Sequence, residues 1–376
     1  MTDRSVMLAA GGTGGHLFPA FALAEELGRR GIAVDLATDM RTEGYGAGFP
    51  ARATYRIPSA TLAGRSPVAL AKTGITLARG VKAAHTLLGK VRPGCVVGFG
   101  GYPSFPPLAA ARLRGIPTVL HEQNAVLGRA NRMLAKRVTR IATSFERVKF
   151  LDAGMQAKAR LTGNPVRDAV IDWSARPYHA PDLNGPFVLL VFGGSQGARF
   201  FSDSVPPALA RLETAARARL RVVQQCRAED IERVRAAYAA AGIAAELATF
   251  FPNLPEVMAG AHLVIGRAGA SSVAELAVMG RPSMLVPLPH AIDNDQLQNA
   301  NTLAESGGGW CIQQSDLSVE RLLAEVGRLL AAPEVLARAA AAAKAQGRPD
   351  AVVRLADLVV ELMRPGARTR RADGTA

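Results

Sequence analysis

Two stretches of the chain share one pattern of apolar and polar positions. Val6-Met7-Leu8-Ala9-Ala10 is an unbroken apolar run that breaks into Gly11-Gly12-Thr13-Gly14-Gly15-His16. Phe187-Val188-Leu189-Leu190-Val191-Phe192 breaks in the same way into Gly193-Gly194-Ser195-Gln196-Gly197. A strand buried on both faces reads as such a run. The glycines let the backbone approach a ligand, and the helix that follows aims its free N–H groups at an anion. Around these anchors the first half alternates predicted strands at 5–10, 33–38, 94–99, 117–121 and 139–142 with helices at 15–30, 68–89, 105–114 and 126–136. The second half repeats the alternation, with strands near 187–192, 220–225, 245–250, 262–265 and 283–287 and helices between them. Helices near 317–331, 333–345 and 349–362 close the chain. Short connections between alternating elements predict parallel sheets with right-handed crossovers. The expected architecture is α/β, with two doubly wound domains facing a cleft. Gly163-Asn164-Pro165-Val166 reads as the linker, followed by an irregular stretch over 173–186. The domains are expected at 1–164 and 165–345, with a disordered tail over 363–376.

Composition narrows the class. The 376 residues suffice for two domains, and 49% of them are hydrophobic, enough for two cores. The uncharged run 93–111 holds four Pro and four Gly, which excludes a membrane-spanning helix there. The first ten residues are too short for a signal peptide. Cys95, Cys226 and Cys311 fit neither a disulfide framework nor a zinc site. These features read as a soluble, cytoplasmic chain.

Charge is distributed unevenly. The net charge is +14, all of it in residues 1–165, where 23 Lys and Arg face 9 Asp and Glu. Between Glu43 and Glu122 there are ten basic residues and no acidic one. One half is thus a positive object suited to nucleic acid or an anionic membrane, or carries its arginines only for solubility. The stretch 62–88 interleaves Val68, Leu70, Ile75, Leu77 and Leu87 with Arg65, Lys72, Arg79 and Lys82, a pattern that suits a membrane interface.

The glycine turns are not ordinary cofactor sites. The dinucleotide fingerprint G-x-G-x-x-G fails because Leu17 follows Gly12 and Gly14 where a third glycine belongs, and no Gly-Lys-Ser/Thr phosphate loop occurs. Gly193-x-Ser195-x-Gly197 matches the nucleophile elbow of hydrolases, which would need Asp230 with His262 or His290 to complete a triad. The competing reading is an anion-binding turn with Ser195 as a phosphate donor. Gly266-Arg267-Ala268-Gly269-Ala270-Ser271-Ser272 opens a further helix with accessible N–H groups. Glu275 on that helix either accepts hydrogen bonds from a ribose diol or simply opposes the helix dipole. Asp293-Asn294-Asp295 resembles a metal-binding D-x-D, but it precedes a helical run, so N-capping is the simpler role and no metal is expected. His16, at the end of the first glycine turn, is a candidate base or diphosphate ligand.

Taken in order, these segments resemble one family. Gly11 to Ala20, Gly98-Phe99-Gly100-Gly101-Tyr102-Pro103-Ser104, His121-Glu122-Gln123-Asn124, Gly163-Asn164-Pro165-Val166-Arg167 and Gly193 to Ala198 look like the MurG family of N-acetylglucosaminyltransferases. So does Ala270 to Glu275, followed by Gln296 and Asn299-Ala300. The likeness spans nearly the whole chain. It implies a GT-B fold of two Rossmann-like domains, with the last helix crossing back to the first domain. It implies transfer of N-acetylglucosamine from UDP-N-acetylglucosamine to lipid I, giving lipid II for peptidoglycan, with no cofactor required. The partners it implies are the two substrates, an anionic membrane at the cytoplasmic face of the inner membrane, and other cell-wall synthesis proteins.

By match of motif position, Phe251 would hold the uracil through its backbone and Glu275 the ribose. Ser195 and Arg167 would face the diphosphate. Ala270, Ser271 and Ser272 would line the sugar and phosphates, with Val273 and Ala274 in the same donor site, and Gln296 would meet the sugar hydroxyls. Thr13, Gly14, Gly15 and Asn124 would reach the donor sugar from the first domain. His16 and Tyr102 would face the acceptor, with His16 the first candidate for the general base and Glu122 the second. Ser202 stands where the family often has Asn, which puts one hydrogen bond on the acceptor side in doubt. A UDP-sugar epimerase of the same architecture and the hydrolase remain as alternatives. A nucleic-acid-binding module is the non-enzyme reading, and the basic half lacks the aromatic platform that stacking requires.

Overall fold

The computed structural model describes residues 5–11, 14–39, 48–60, 66–194 and 198–364. It divides into two compact units: residues 1–123, 127–165 and 350–376 form unit 1, and 124–126 with 166–349 form unit 2.

Unit 1 holds strands β1 (Val6–Ala9), β2 (Val34–Thr38), β3 (Ala53–Arg56), β4 (Cys95–Gly98), β5 (Thr118–Glu122), β6 (Arg140–Thr143) and β7 (Ala159–Leu161). All pair in parallel, in the order β3-β2-β1-β4-β5-β6-β7. Its helices are α1 (Gly14–Arg29), α2 (Pro67–Val91), α3 (Gly101–Leu113), α4 (Arg129–Ala135) and α5 (Ala153–Gln156). Strand periodicity divides β1 between two cores. Val6 and Leu8 pack with Leu23 and Leu27 of α1 on one face of the sheet. Met7 and Ala9 pack with Leu88, Leu108 and Leu134 of α2, α3 and α4 on the other.

Unit 2 begins with α6 (Asp168–Ser174) and β8 (Phe187–Phe192), then α7 (Arg199–Ala210), α8 (Thr214–Arg219), β9 (Leu220–Gln225), α9 (Ile231–Ala240), β10 (Ala244–Ala248), α10 (Leu254–Gly260) and β11 (Leu263–Gly266). It continues through α11 (Ala270–Met279), β12 (Ser283–Leu285), α12 (Asp295–Glu305), β13 (Gly309–Cys311), α13 (Val319–Leu330) and α14 (Pro333–Gln346). The sheet is again parallel, in the order β10-β9-β8-β11-β12-β13. The last helix, α15 (Ala351–Met363), belongs to unit 1. There Leu355 and Val359 join the core of α1, and Asp357 accepts a 2.6 Å hydrogen bond from Arg30.

Several expectations change. Three strands were not foreseen: β3 and β13 lie at sheet edges, β7 does too, and each has only three or four residues. Runs that short carry too little pattern to read. Residues 168–174, partly assigned to an irregular stretch, are helical. α3 begins four residues earlier than expected, at Gly101, because Pro103 is tolerated in a first helical turn. On α2, Leu77 is not a surface residue. It is 9% exposed and shares the inner face with Thr73, Ala84 and Leu88, spaced by four and seven residues, whereas Ile75 is 54% exposed. Leu87 likewise packs against the core. Residues 62–65 and the tail from 365 lie outside the described residues.

Candidate functional site

In an open parallel sheet, ligands bind beyond the carboxyl ends of the strands where the strand order reverses. Unit 1 reverses between β1 and β4, and unit 2 between β8 and β11. The four turns that follow these strands are the four glycine-rich turns of the sequence.

In unit 1, His16 sits on the first turn of α1, its ring against the backbone of the turn after β4. A Cβ at Gly100 would come 3.3 Å from its Cε1, and one at Gly101 3.4 Å from its Cδ2. Both glycines have positive φ, 85° and 68°, which bare backbone adopts without strain. His16 Nδ1 lies 3.2 Å from Gln123 Oε1. Gln123 Nε2 donates to His121 Nδ1 at 2.9 Å and to the His121 carbonyl at 3.3 Å. His121 Nε2 is 3.1 Å from the Gly163 carbonyl. Burial lowers the pKa of both rings; it brings His121 down to about 4, and in His16 it outweighs the opposing bonds to Gln123 and the Phe99 carbonyl.

Glu122 is 1% exposed and accepts from the Gly128 N–H at 2.8 Å and from Asn131 Nδ2 at 2.7 Å. It therefore fixes the turn into α4. Tyr102 is half-buried in the first turn of α3. Gly14 and Gly15 open α1, while Thr13 lies outside the described residues.

In unit 2, Gly269 leads into the N-terminus of α11, where Ala270, Ser271, Ser272 and Ala274 are half-buried and Val273 is buried. The hydroxyl of Ser271 is buried with no partner among the described residues. The structure joins two residues that the motif reading kept apart. Arg167 clamps Glu275 with Nε on Oε1 at 3.0 Å and Nη2 on Oε2 at 3.1 Å. Burial pushes the Glu275 carboxyl up, and Arg167 partly offsets this. Gln296 Oε1 accepts from the Leu288 N–H at 3.0 Å. The Phe251 carbonyl is bonded by the Leu254 N–H at 3.2 Å. Ser195 lies outside the described residues, and the neighbouring Gly193 N–H donates to Gln225 Oε1.

Two roles went unread in the sequence. Asn299 is fully buried; its Oδ1 accepts from the Ala125 N–H at 2.8 Å, and its Nδ2 donates to Asn124 Oδ1 and to the Ala268 carbonyl. It thereby ties Asn124 to the turn before α11. Arg267 is buried, donating to the carbonyls of Val286 and Pro287 and to Gln314. The expected cap of α12 also differs. Asp293 and Asn294 adopt left-handed backbone, Asn294 makes no capping side-chain bond, and Asp295 is already inside the helix, accepting from the Gln296 N–H. Ser202 is buried on α7.

Among the described residues, the partners the hydrolase reading needs are not gathered into a triad. His262 Nδ1 accepts the Val188 N–H, Asp230 binds Arg233, and His290 is exposed.

Residues 6–143 match the glycosyltransferase family 28 N-terminal domain, and 188–355 the glycosyltransferase family 28 C-terminal domain. A solved structure of Acinetobacter baumannii MurG is similar, with a TM-score of 0.79 at 29% identity over 95% of this chain and 99% of that one. A UDP-GlcNAc 2-epimerase from Neisseria meningitidis bound to UDP-GlcNAc shares the fold, at 0.66 and 13% identity over 96% and 99% of the two chains. Two parallel-sheet Rossmann-like domains with these matches define a GT-B glycosyltransferase of family 28. A Mesorhizobium japonicum protein named UDP-N-acetylglucosamine--N-acetylmuramyl-(pentapeptide) pyrophosphoryl-undecaprenol N-acetylglucosamine transferase is 54% identical over 358 residues, 95% of each chain. The chain belongs to that family, the MurG transferases.

The two histidines make stability pH-dependent in a defined direction. Unfolded, they take up protons from about pH 6.5 downward, while folded His121 resists until about 4. Stability is complete above pH 6.5 and drains as pH falls toward 4, by up to about 3 kcal/mol from His121. Urea melts at pH 7.0 and 5.0 should show this loss, and a His121→Gln variant a smaller one. Equal wild-type stability at the two pH values would contradict the buried neutral histidine.

Proposed function

We propose that this chain transfers N-acetylglucosamine from UDP-N-acetylglucosamine to the 4-hydroxyl of the N-acetylmuramyl sugar of lipid I, giving β-1,4-linked lipid II. The observation that carries the reading is the coincidence of the family's glycine turns with both strand-order reversals. A half-buried histidine, His16, stands at one reversal. An arginine–carboxylate pair beside a ten-residue helix stands at the other.

In this reading unit 2 takes the nucleotide. The first-turn N–H groups of α11, with Arg167 and Ser195, meet the diphosphate, and Ala270 to Ala274 line it and the sugar. Glu275 is already held by Arg167, and its remaining lone pairs accept the ribose hydroxyls. Phe251 holds the uracil through its backbone, whose carbonyl accepts from the Leu254 N–H and keeps a second lone pair. Gln296 Oε1 is likewise engaged, so its amide nitrogen donates to a sugar hydroxyl. Thr13, Gly14, Gly15 and Asn124 face the donor sugar, and Tyr102 the acceptor.

His16 is preferred over Glu122 as the base, since the Glu122 carboxylate is spent on Gly128 and Asn131. His16 takes the proton of the acceptor hydroxyl, whose oxygen bonds to the anomeric carbon opposite the phosphate. The carbon–oxygen bond to the phosphate breaks, UDP leaves with the electron pair, and the α linkage inverts to β. The charge growing on UDP is met by preorganised donors, so no divalent metal is required.

Incubation with labelled UDP-N-acetylglucosamine tests this. Label should enter lipid, and UDP appear, only when lipid I is present, and equally in a chelator. Conversion of the nucleotide sugar to its 2-epimer without lipid I would favour the epimerase. Turnover lost in chelator and restored by magnesium or manganese would overturn the metal-free step.

No described helix is long and apolar enough to cross a membrane. The transfer to lipid I proposed above would take place peripherally, at the cytoplasmic face of the inner membrane. The outer face of α2 carries exposed Val68, Leu70 and Ile75 beside exposed Lys72, Arg79 and Lys82. Each basic residue near an anionic bilayer contributes about 1 kcal/mol, and salt screens it. Reversing Lys72, Arg79 and Lys82 to Glu should cut pelleting with anionic liposomes at low salt while leaving UDP affinity unchanged. Equal pelleting of wild type and variant would rule out this face.

A further inference from the structure

The hydrogen bonds beneath His16 run in one direction only, and the fixed end is the Gly163 carbonyl. A carbonyl can only accept, so His121 Nε2, 3.1 Å away, carries the ring proton. Neutral His121 then presents a bare Nδ1. The group 2.9 Å from it must donate, which sets the Gln123 amide with Nε2 toward His121. The His121 carbonyl, 3.3 Å from the same nitrogen, demands the same orientation independently. Gln123 Oε1 therefore faces His16, and His16 Nδ1 at 3.2 Å must be the protonated nitrogen.

We infer that Gln123 and His121 are positioning residues for the base. Anchored on the Gly163 carbonyl, they hold His16 as the Nδ1–H tautomer and leave the Nε2 lone pair to take the acceptor's proton. Both are buried, as is the segment from Thr162 to Asn164, so water does not offer His121 or Gln123 an alternative partner. The bare backbone at Gly100 and Gly101 leaves room for the ring, since a Cβ at either would come within 3.3–3.4 Å of it. When His16 takes the proton, Gln123 Oε1 and the nearby Phe99 carbonyl are acceptors that stabilise the cation without moving. A neutral amide thus does by orientation what a carboxylate would do by charge. It adds no negative charge beside the base.

The inference rests on the reading of His16 as base, and the test separates the two. Nitrogen-15 NMR of histidine-labelled full-length protein reads which ring nitrogen of His16 carries hydrogen, with His16→Ala assigning the resonance. Wild type should show Nδ1–H for His16 and Nε2–H for His121. Gln123→Leu removes the acceptor at similar size, and its His16 should become a mixture of tautomers. Its kcat should fall about tenfold to a hundredfold while the KM for UDP-N-acetylglucosamine stays within about twofold. Gln123→Glu keeps an acceptor toward His16 and should retain Nδ1–H and more of the kcat than Gln123→Leu.

A wild-type His16 protonated on Nε2, with His16→Ala inactive, overturns the relay and leaves the base standing. Full activity of His16→Ala overturns the base, and with it the purpose of the relay. Equal kcat in Gln123→Leu and wild type, with the tautomer unchanged, overturns the positioning role directly.

Discussion

Bare backbone stands at or just past the ends of three central strands, β1, β4 and β11, where a Cβ would crowd its neighbours. A Cβ on Gly98, the last residue of β4, would lie 2.3 Å from Leu108 Cδ1. One on Gly266, the last residue of β11, would lie 3.0 Å from the Phe192 carbonyl. One on Gly11, just past β1, would lie 3.0 Å from both Asp39 Oδ1 and Thr38 Oγ1. The first contact sets how closely α3 approaches its sheet, the second how closely β8 and β11 lie at their ends, and the third how closely the turn after β1 lies against the end of β2. Beside these bare strand ends His16 lies against Gly100 and Gly101 and meets Gln123, and the α11 N-terminus is tied through Ala268 to Asn299.

The polar groups held at these ends are organised for position more than for stability. Burying Glu275 costs desolvation free energy, as its raised pKa records, and a bidentate arginine offsets only part of that. Buried ion pairs of this kind are often no more stable than apolar replacements. What Arg167 provides is a fixed direction for two carboxylate oxygens. Glu122 shows the same logic in unit 1, where its carboxylate fixes the turn into α4. Asn299 adds a neutral version in unit 2, using three hydrogen bonds to hold Asn124 and Ala268 in register.

Much of this was legible in the sequence, for physical reasons that also mark where legibility ended. Strands buried on both faces, such as β1, β8 and β11, appear as continuous apolar runs, and the glycine turns announce themselves by composition. Edge strands β3 and β13 are too short and too mixed to stand out. Leu77 looked equivalent to Ile75 because both are apolar, and only the helical phase of α2 separates the core face from the outer one. The site residues were found one at a time by motif, yet their pairing was not. His16 and Gln123 are 107 positions apart, Arg167 and Glu275 108, and Asn124 and Asn299 175. No local pattern encodes those distances. The His121-Glu122-Gln123-Asn124 run was noticed as a motif, but β5 ends between its second and third members, and their different tasks appear only once the strand end is in place.

The central claim is that recognition of the donor's nucleotide lies in unit 2 and proton removal in unit 1, on separate residues. Calorimetric titration with UDP-N-acetylglucosamine, paired with turnover on lipid I, tests it in His16→Ala and Glu275→Ala. The account predicts that His16→Ala binds the donor as wild type does while turnover falls by about a hundredfold or more. It predicts that Glu275→Ala binds the donor about tenfold or more weakly, the loss of hydrogen bonds to a charged group. Undiminished donor affinity in Glu275→Ala, or undiminished turnover in His16→Ala, would contradict it.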